Sequence, residues 1–227
     1  MQMPAWLTLM ADSFGPLVWA GLRFTVPLAL MSFVAGLLLA VGTALARLYG
    51  PWPLALAARF YVWVIRGTPL LVQLFVIFYG LPYIGVVLDP LVAALIGFTL
   101  SVGAYNSEVI RAAIESIPSG QWEAAYSLNL NRAQALRRIV LPQAARVAVP
   151  PLANAFIALV KDTSLAAVIT VPELFQQAQR IVAVTYEPLV LYVETALIYL
   201  VISSVLSVVQ ARLERRLGQH VRRGAST

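Results

Sequence analysis

The sequence predicts an all-α integral membrane protein of five spans, with a soluble-looking helical knuckle between the third and the fourth. Three observations carry this. Hydrophobic residues make up 60% of the chain and charged ones 11%, with a mean hydropathy of +0.82, which suits lipid rather than water. The arginines fall in bands between apolar runs, so the net charge of +6 reads as topology and not as affinity for nucleic acid. Residues 123–151, EAAYSLNLNRAQALRRIVLPQAARVAVPP, interrupt the apolar pattern with helix caps and basic side chains.

The first span is expected at about 17–46, long enough to tilt or to protrude from the bilayer. The N-terminus lacks a basic stretch and a small-residue cleavage site, so this segment is expected to stay in the mature protein. A second span, about 57–79, is interrupted at Gly67-Thr68-Pro69. The third covers about 90–114 and the fourth about 139–160. Segment 164–182 begins apolar and turns polar, which fits a helix packed at the outer face. The fifth span, about 189–209, continues as a basic tail at about 210–227. With no repeat or low-complexity stretch, one membrane domain is expected to fill residues 1–227.

Arginine placement orients these spans. Arg47 and Arg59 follow the first, Arg111, Arg132, Arg137, Arg138 and Arg146 surround the knuckle, and Arg212, Arg215, Arg216, Arg222 and Arg223 lie in the tail. Residues 1–22 and 81–89 carry no Lys or Arg. The excess of positive charge on cytosolic loops then places the N-terminus outside and the C-terminus in the cytosol.

The knuckle, about 115–142, has its own punctuation. Ser119 and Gly120 are expected to cap a helix carrying Gln121, Trp122 and Glu123 in its first turn. It should stop near Asn129, because Asn tolerates the left-handed conformation that ends helices. Asn131 and Gln134 then form a capping box for a second helix.

Polar residues at span depth are functional candidates by default. Pro69 and Gly67 should break the second span, with Thr68 capping the helix that resumes, so that its free amides face a carboxylate; Arg66 and Gln73 lie alongside. A plain kink is the alternative, and Arg66 beside the break favours the functional reading. The second cluster runs from Asn154 and Ala155 to Lys161, the lone lysine, with Asp162, Thr163 and Ser164. Asp162 suits an ammonium, and Lys161 or the Thr68 helix end a carboxylate, as an amino acid zwitterion requires. The bland reading is a span-ending pair with Asp162 or Thr163 as a cap. Tyr105, Asn106 and Glu108 add polarity, and Glu108 suits a helix–helix contact equally well.

Other chemistries find little support. The lone lysine sits in VKDTS without a GxxxxGK pattern, so the chain holds no P-loop. It has no cysteine, and its single histidine, His220, lies in the basic tail, so neither a hydrolytic triad nor a metal site can be assembled from it. An ion-coupled secondary transporter usually shows inverted repeats or an acidic relay, and neither is visible.

The pattern Glu123-Ala124-Ala125, a turn at Asn129-Leu130, then Ile139, Leu141 and Pro142, resembles the coupling loop of bacterial ABC importer permeases. That family usually has Gly where this chain has Asn129. RGTPLLVQLFVIFYGLP, AYNSEVIRAAI and LVKDTSLAAVITVPELF are similar to its polar amino acid branch, and the likeness covers nearly the whole chain after Phe14. LPQAARVAVPPLANAFIALVKDTSLAA is most similar to cystine-type permeases. The resemblance implies a five-span ABC type I importer permease fold with a cytosolic coupling helix in the bacterial cytoplasmic membrane. It implies a permease dimer, expected to be of identical chains, two copies of a separate ATP-binding subunit that hold ATP and Mg, and an extracytoplasmic binding protein that delivers the amino acid. The chain itself would carry no cofactor and no enzyme activity. Basic amino acid permeases of the branch have an acidic residue at the position of Ala155, which argues against an arginine- or lysine-dedicated pocket. L-cystine is therefore the expected substrate, with glutamine, histidine or arginine as alternatives on the same machinery.

Overall fold

The computed structural model describes residues 4–223 and, for side chains, little beyond residue 215. The end of the basic tail, and with it the side chains of Arg216, His220, Arg222 and Arg223, lies outside the described residues. Eight helical segments follow in order. They are α1 (Ala5–Tyr49), α2 (Trp52–Gly67), α3 (Leu70–Ile84), α4 (Pro90–Glu115), α5 (Ser119–Ser127), α6 (Arg132–Ile169), α7 (Leu174–Thr185) and α8 (Pro188–Arg223). Four of them are long and apolar enough to cross a membrane, and α2 with α3 make the fifth span if the bent pair is counted as one.

The break between α2 and α3 bends the chain by 105°, where residues 67–69 were expected to interrupt it. The first span departs from expectation. α1 starts at Ala5, well before 17: Pro4 holds the extended conformation that precedes a helix, Trp6, Leu7, Leu9 and Met10 extend the apolar run, and the helix continues through Pro16. Its 45 residues reach about 67 Å at roughly 1.5 Å per residue, twice the hydrocarbon thickness of a bilayer.

Three π-turns interrupt the helices, at Gly21–Thr25, Val76–Gly80 and Leu136–Val140. A proline follows each two residues later: Pro27, Pro82 and Pro142. A proline lacks the N–H that would close the preceding turn, and its ring crowds that turn's carbonyl, so the helix widens instead of breaking.

Small residues bring the helices close. A Cβ on Gly36 of α1 would lie 2.5 Å from Val102 Cγ1 of α4, and one on Gly103 would lie 2.6 Å from the Tyr61 hydroxyl of α2. This contact lets α1 and α4 run side by side over two buried clusters. One holds Leu28, Leu74, Phe98, Leu159 and Ile169; the other, nearer the knuckle, holds Ala40, Ile110, Ile114, Val140 and Ala144. The segment expected at the outer face becomes the 3-10 turns Thr163–Ile169 and then α7, which packs Leu174 and Ala178 against Leu17 of α1 and Ile198 of α8. Buried Glu173 caps α7 at Gln176 N (2.8 Å) and accepts hydrogen bonds from the Tyr199 and Thr25 hydroxyls (2.8 and 3.4 Å). Away from these contacts the helices present large apolar side chains outward, among them Trp19, Leu38, Phe60 and Leu200, as a lipid-facing surface does.

Candidate functional site

The knuckle is a compact, hydrogen-bonded unit. α5 opens after Pro118, and Ser119 and Gly120 lie inside it instead of capping it, since Pro118 already holds the extended conformation that precedes a helix. Its end follows expectation: Asn129 adopts φ 57°, Leu130 N–H donates to Ala125 O (3.1 Å) and Asn129 N–H to Tyr126 O (2.9 Å), a Schellman closure. Asn131 and Gln134 form the reciprocal capping box, both bonds at 2.9 Å. Ala125 faces inward at 1% exposure, while Glu123, Ala124 and Leu128 face outward. Leu141 packs into the inner cluster, and Pro142 is exposed on the next turn. Two contacts tie the unit to the spans: the Arg132 guanidinium lies 5.0 Å from the Tyr49 ring centroid at the end of α1, and Trp122 packs on the inner cluster. Tyr49, Ile117, Trp122, Glu123, Tyr126 and Arg132 line a recess of about 580 Å³.

The helix break has closed on itself. Thr68 does not cap α3: its hydroxyl donates to Val64 O (2.9 Å), finishing α2, and Pro69 precedes α3 without a side-chain cap. Gln73 reaches back from α3 and donates to Ile65 O, Thr68 O and Thr68 Oγ1 at 2.7, 3.1 and 2.9 Å. Thr68 and the Gln73 amide nitrogen thus spend their polarity on each other and on the backbone, while Gln73 Oε1 is buried without a partner among the described residues. Gly67 stands open: a Cβ added there would meet no atom within 4 Å.

The second cluster divides. Asp162 and Ala155 line a cavity of about 310 Å³ with Leu70, Ser101, Tyr105 and Asn106. Asn106 is 2% exposed and its Nδ2 finds no partner among the described residues. The others turn away. Asn154 Oδ1 accepts from Gln210 Nε2 of α8 (2.9 Å), Thr163 is buried and donates to Val160 O (2.7 Å), and Ser164 donates to Lys161 O (2.7 Å). Lys161 is exposed and does not line the cavity. Ser101, Tyr105 and Asn106 share one face of α4, and that helical spacing was the signal available for finding Ser101.

Glu108 proves to be a helix–helix hub. It pairs with Arg47 of α1, with Arg111 at 2.8 Å and with Arg66 at 3.6 Å, and Arg111 also reaches Glu115 at 2.6 Å. Arg66 lies 5.4 Å from the Tyr105 ring centroid, so the hub touches the cavity wall. In the sequence Arg47 read only as a topology marker. Among the described residues no group of three His, Cys, Asp or Glu is placed to hold a metal ion.

Residues 32–219 match a protein family described as binding-protein-dependent transport system inner membrane component. The chain is 51% identical over 214 residues to the L-cystine transport system permease protein TcyB of Bacillus subtilis (strain 168), covering 94% of this chain and 92% of that one. It is 38% identical over 204 residues to the glutamine transport system permease protein GlnP of Escherichia coli (strain K12), covering 89% and 93%. A crystal structure of an amino acid ABC transporter with histidines matches with a TM-score of 0.87 at 35% identity, covering 95% of this chain and all of that one.

Proposed function

The chain belongs to the family of binding-protein-dependent transport system inner membrane components, and from that premise we propose that it is the membrane-spanning subunit of an ATP-driven importer of L-cystine. The observation that carries the substrate half of this reading is the cavity between α4 and α6. Its lining includes one carboxylate, Asp162, and the unpartnered Asn106 Nδ2, which suit the ammonium and carboxylate of an amino acid. Ala155 leaves the wall without a second carboxylate, which favours a substrate with no net positive charge. The knuckle supports the other half. Its outward face is where a separate ATPase subunit docks in this reading, with ATP and Mg held by that partner; a second copy of the chain and an extracytoplasmic binding protein complete the machine.

The orientation belongs to the same proposal, with the N-terminus outside and the C-terminus in the cytosol of the bacterial cell. The chain has no cysteine, so single cysteines report it cleanly. A cysteine at Val87 is expected to react with an impermeant reagent from outside, and one at Gln134 only from inside. Inverted labelling contradicts both the orientation and the placement of the ATPase.

Asp162→Asn tests the cavity. Asp162 is exposed in the single chain, so the loss is expected at the low end of the about 2–5 kcal/mol found on truncating one member of a charge pair, which is still at least a tenfold fall in uptake. Dimer assembly and basal ATP hydrolysis should persist. Ala155→Glu should shift preference toward cationic amino acids by adding a carboxylate to the wall. Undiminished uptake in Asp162→Asn, measured with the matching binding protein, removes the cavity from the transport path.

A further inference from the structure

A second recess, of about 390 Å³, opens on the knuckle side of the Asp162 cavity; Arg47, Arg59, Arg66, Trp63 and Gly67 line it with Tyr105, which also walls the cavity. Its charge is not balanced. Three guanidiniums, of Arg47, Arg59 and Arg66, line it with no carboxylate among the lining residues, and the nearby Glu108 is shared among Arg47, Arg66 and Arg111. Arg59 makes no ion pair or hydrogen bond among the described residues, and Arg66 has only the 3.6 Å approach to Glu108. Arg47 Nε is buried without a partner. Arg59 and Arg66 are exposed and Arg47 is half-buried, so their free N–H groups are open to an oxyanion, which they can bind in pairs.

The position adds a direction. The recess lies between Tyr105 and the inner ends of α1 and α4, where Tyr49 and Glu115 border the knuckle. The helix end at Thr68 and Lys161, the two groups expected to take a substrate carboxylate, do not face the cavity. We propose that the arginine recess is a second, inner subsite that receives the carboxylate of the amino acid as it passes from the Asp162 cavity toward the knuckle side. This rests on the reading of the chain as an amino acid importer subunit. The guanidiniums hold the anion loosely because Glu108 competes for Arg47 and Arg66, so the subsite fills and empties instead of trapping its guest. An anionic lipid headgroup offers the same oxyanion chemistry, and the test separates the two sources.

Gly67→Cys places a thiol in the recess where a Cβ meets no atom within 4 Å. In the assembled transporter, held in phosphatidylcholine nanodiscs, Cys modification is timed with an anionic and a cationic methanethiosulfonate reagent. The anionic reagent is expected to react about tenfold faster, as a cationic cleft concentrates anions, and adding Arg59→Gln should erase most of that preference. L-cystathionine, a thioether analogue without a disulfide to exchange, should slow modification at the concentration that half-inhibits uptake; its dimethyl ester should not. Equal reagent rates, or equal protection by the ester, overturn the subsite. Protection by phosphatidylglycerol in the discs without any amino acid assigns the recess to a lipid headgroup and overturns it as well. Asp162→Asn is timed in parallel: normal uptake there sinks the cavity assignment alone, whereas a lost reagent preference in the unaltered hub sinks the recess alone.

Discussion

Ala124→Trp is expected to abolish ATP-driven uptake while the spans stay folded. Ala124 lies on the outward face of α5, next to exposed Glu123 and Leu128, whereas its neighbour Ala125 is the buried anchor. An indole at position 124 therefore adds volume where nothing of this chain is packed and where a partner surface must fit closely. Glu123→Lys should act similarly by reversing charge at the same contact. In proteoliposomes containing the ATPase subunit, both variants should lose more than tenfold of uptake while hydrolysis continues or weakens independently of transport. Ala125→Trp, by contrast, should lower the amount of folded protein, because it overpacks a position that is 1% exposed. Normal uptake by both Ala124→Trp and Glu123→Lys means that the ATPase docks elsewhere.

Glu108→Ala should produce a large stability loss for a residue that is not fully buried. It strands Arg47, Arg66 and Arg111, which converge on one carboxylate from α1, α2 and α4. Removing one member of a fully buried ion pair costs about 3–5 kcal/mol. The Glu108 side chain retains 20% of its exposure, so a figure of about 2–3 kcal/mol is expected after screening. Thermal unfolding in detergent should show a lower midpoint for Glu108→Ala and an intermediate one for Glu108→Asp, which keeps the charge but shortens its reach. A midpoint equal to that of the unaltered protein would show that the three arginines find other acceptors.

The spans were legible, apart from the start of the first, because apolar length is a one-dimensional signal. The knuckle was legible because its caps are local: Asn129, Asn131 and Gln134 each act on backbone within five residues. The polar sites were harder to read. Thr68 looked like a cap for α3, but Gln73, eight residues beyond Ile65, competes for the same broken turn and closes it. Asn154 stood one residue from Ala155 in the chain, yet the helical turn sends it to Gln210 on α8 while Ala155 faces α4. Ser119 and Gly120 were displaced by Pro118, whose fixed φ starts the helix one step earlier. Glu108 belongs to a long-range hub joining three helices, and nothing in its own neighbourhood announces Arg47, 61 positions away.

The most direct test of transport by this chain is competitive uptake. The permease, its ATPase and its binding protein are reconstituted together, and entry of labelled L-cystine is followed with ATP inside the vesicles and then without it. Uptake that requires ATP, saturates, and yields to unlabelled cystine before glutamine, histidine or arginine is the predicted result. ATP-independent entry, or arginine as the strongest competitor, contradicts the account.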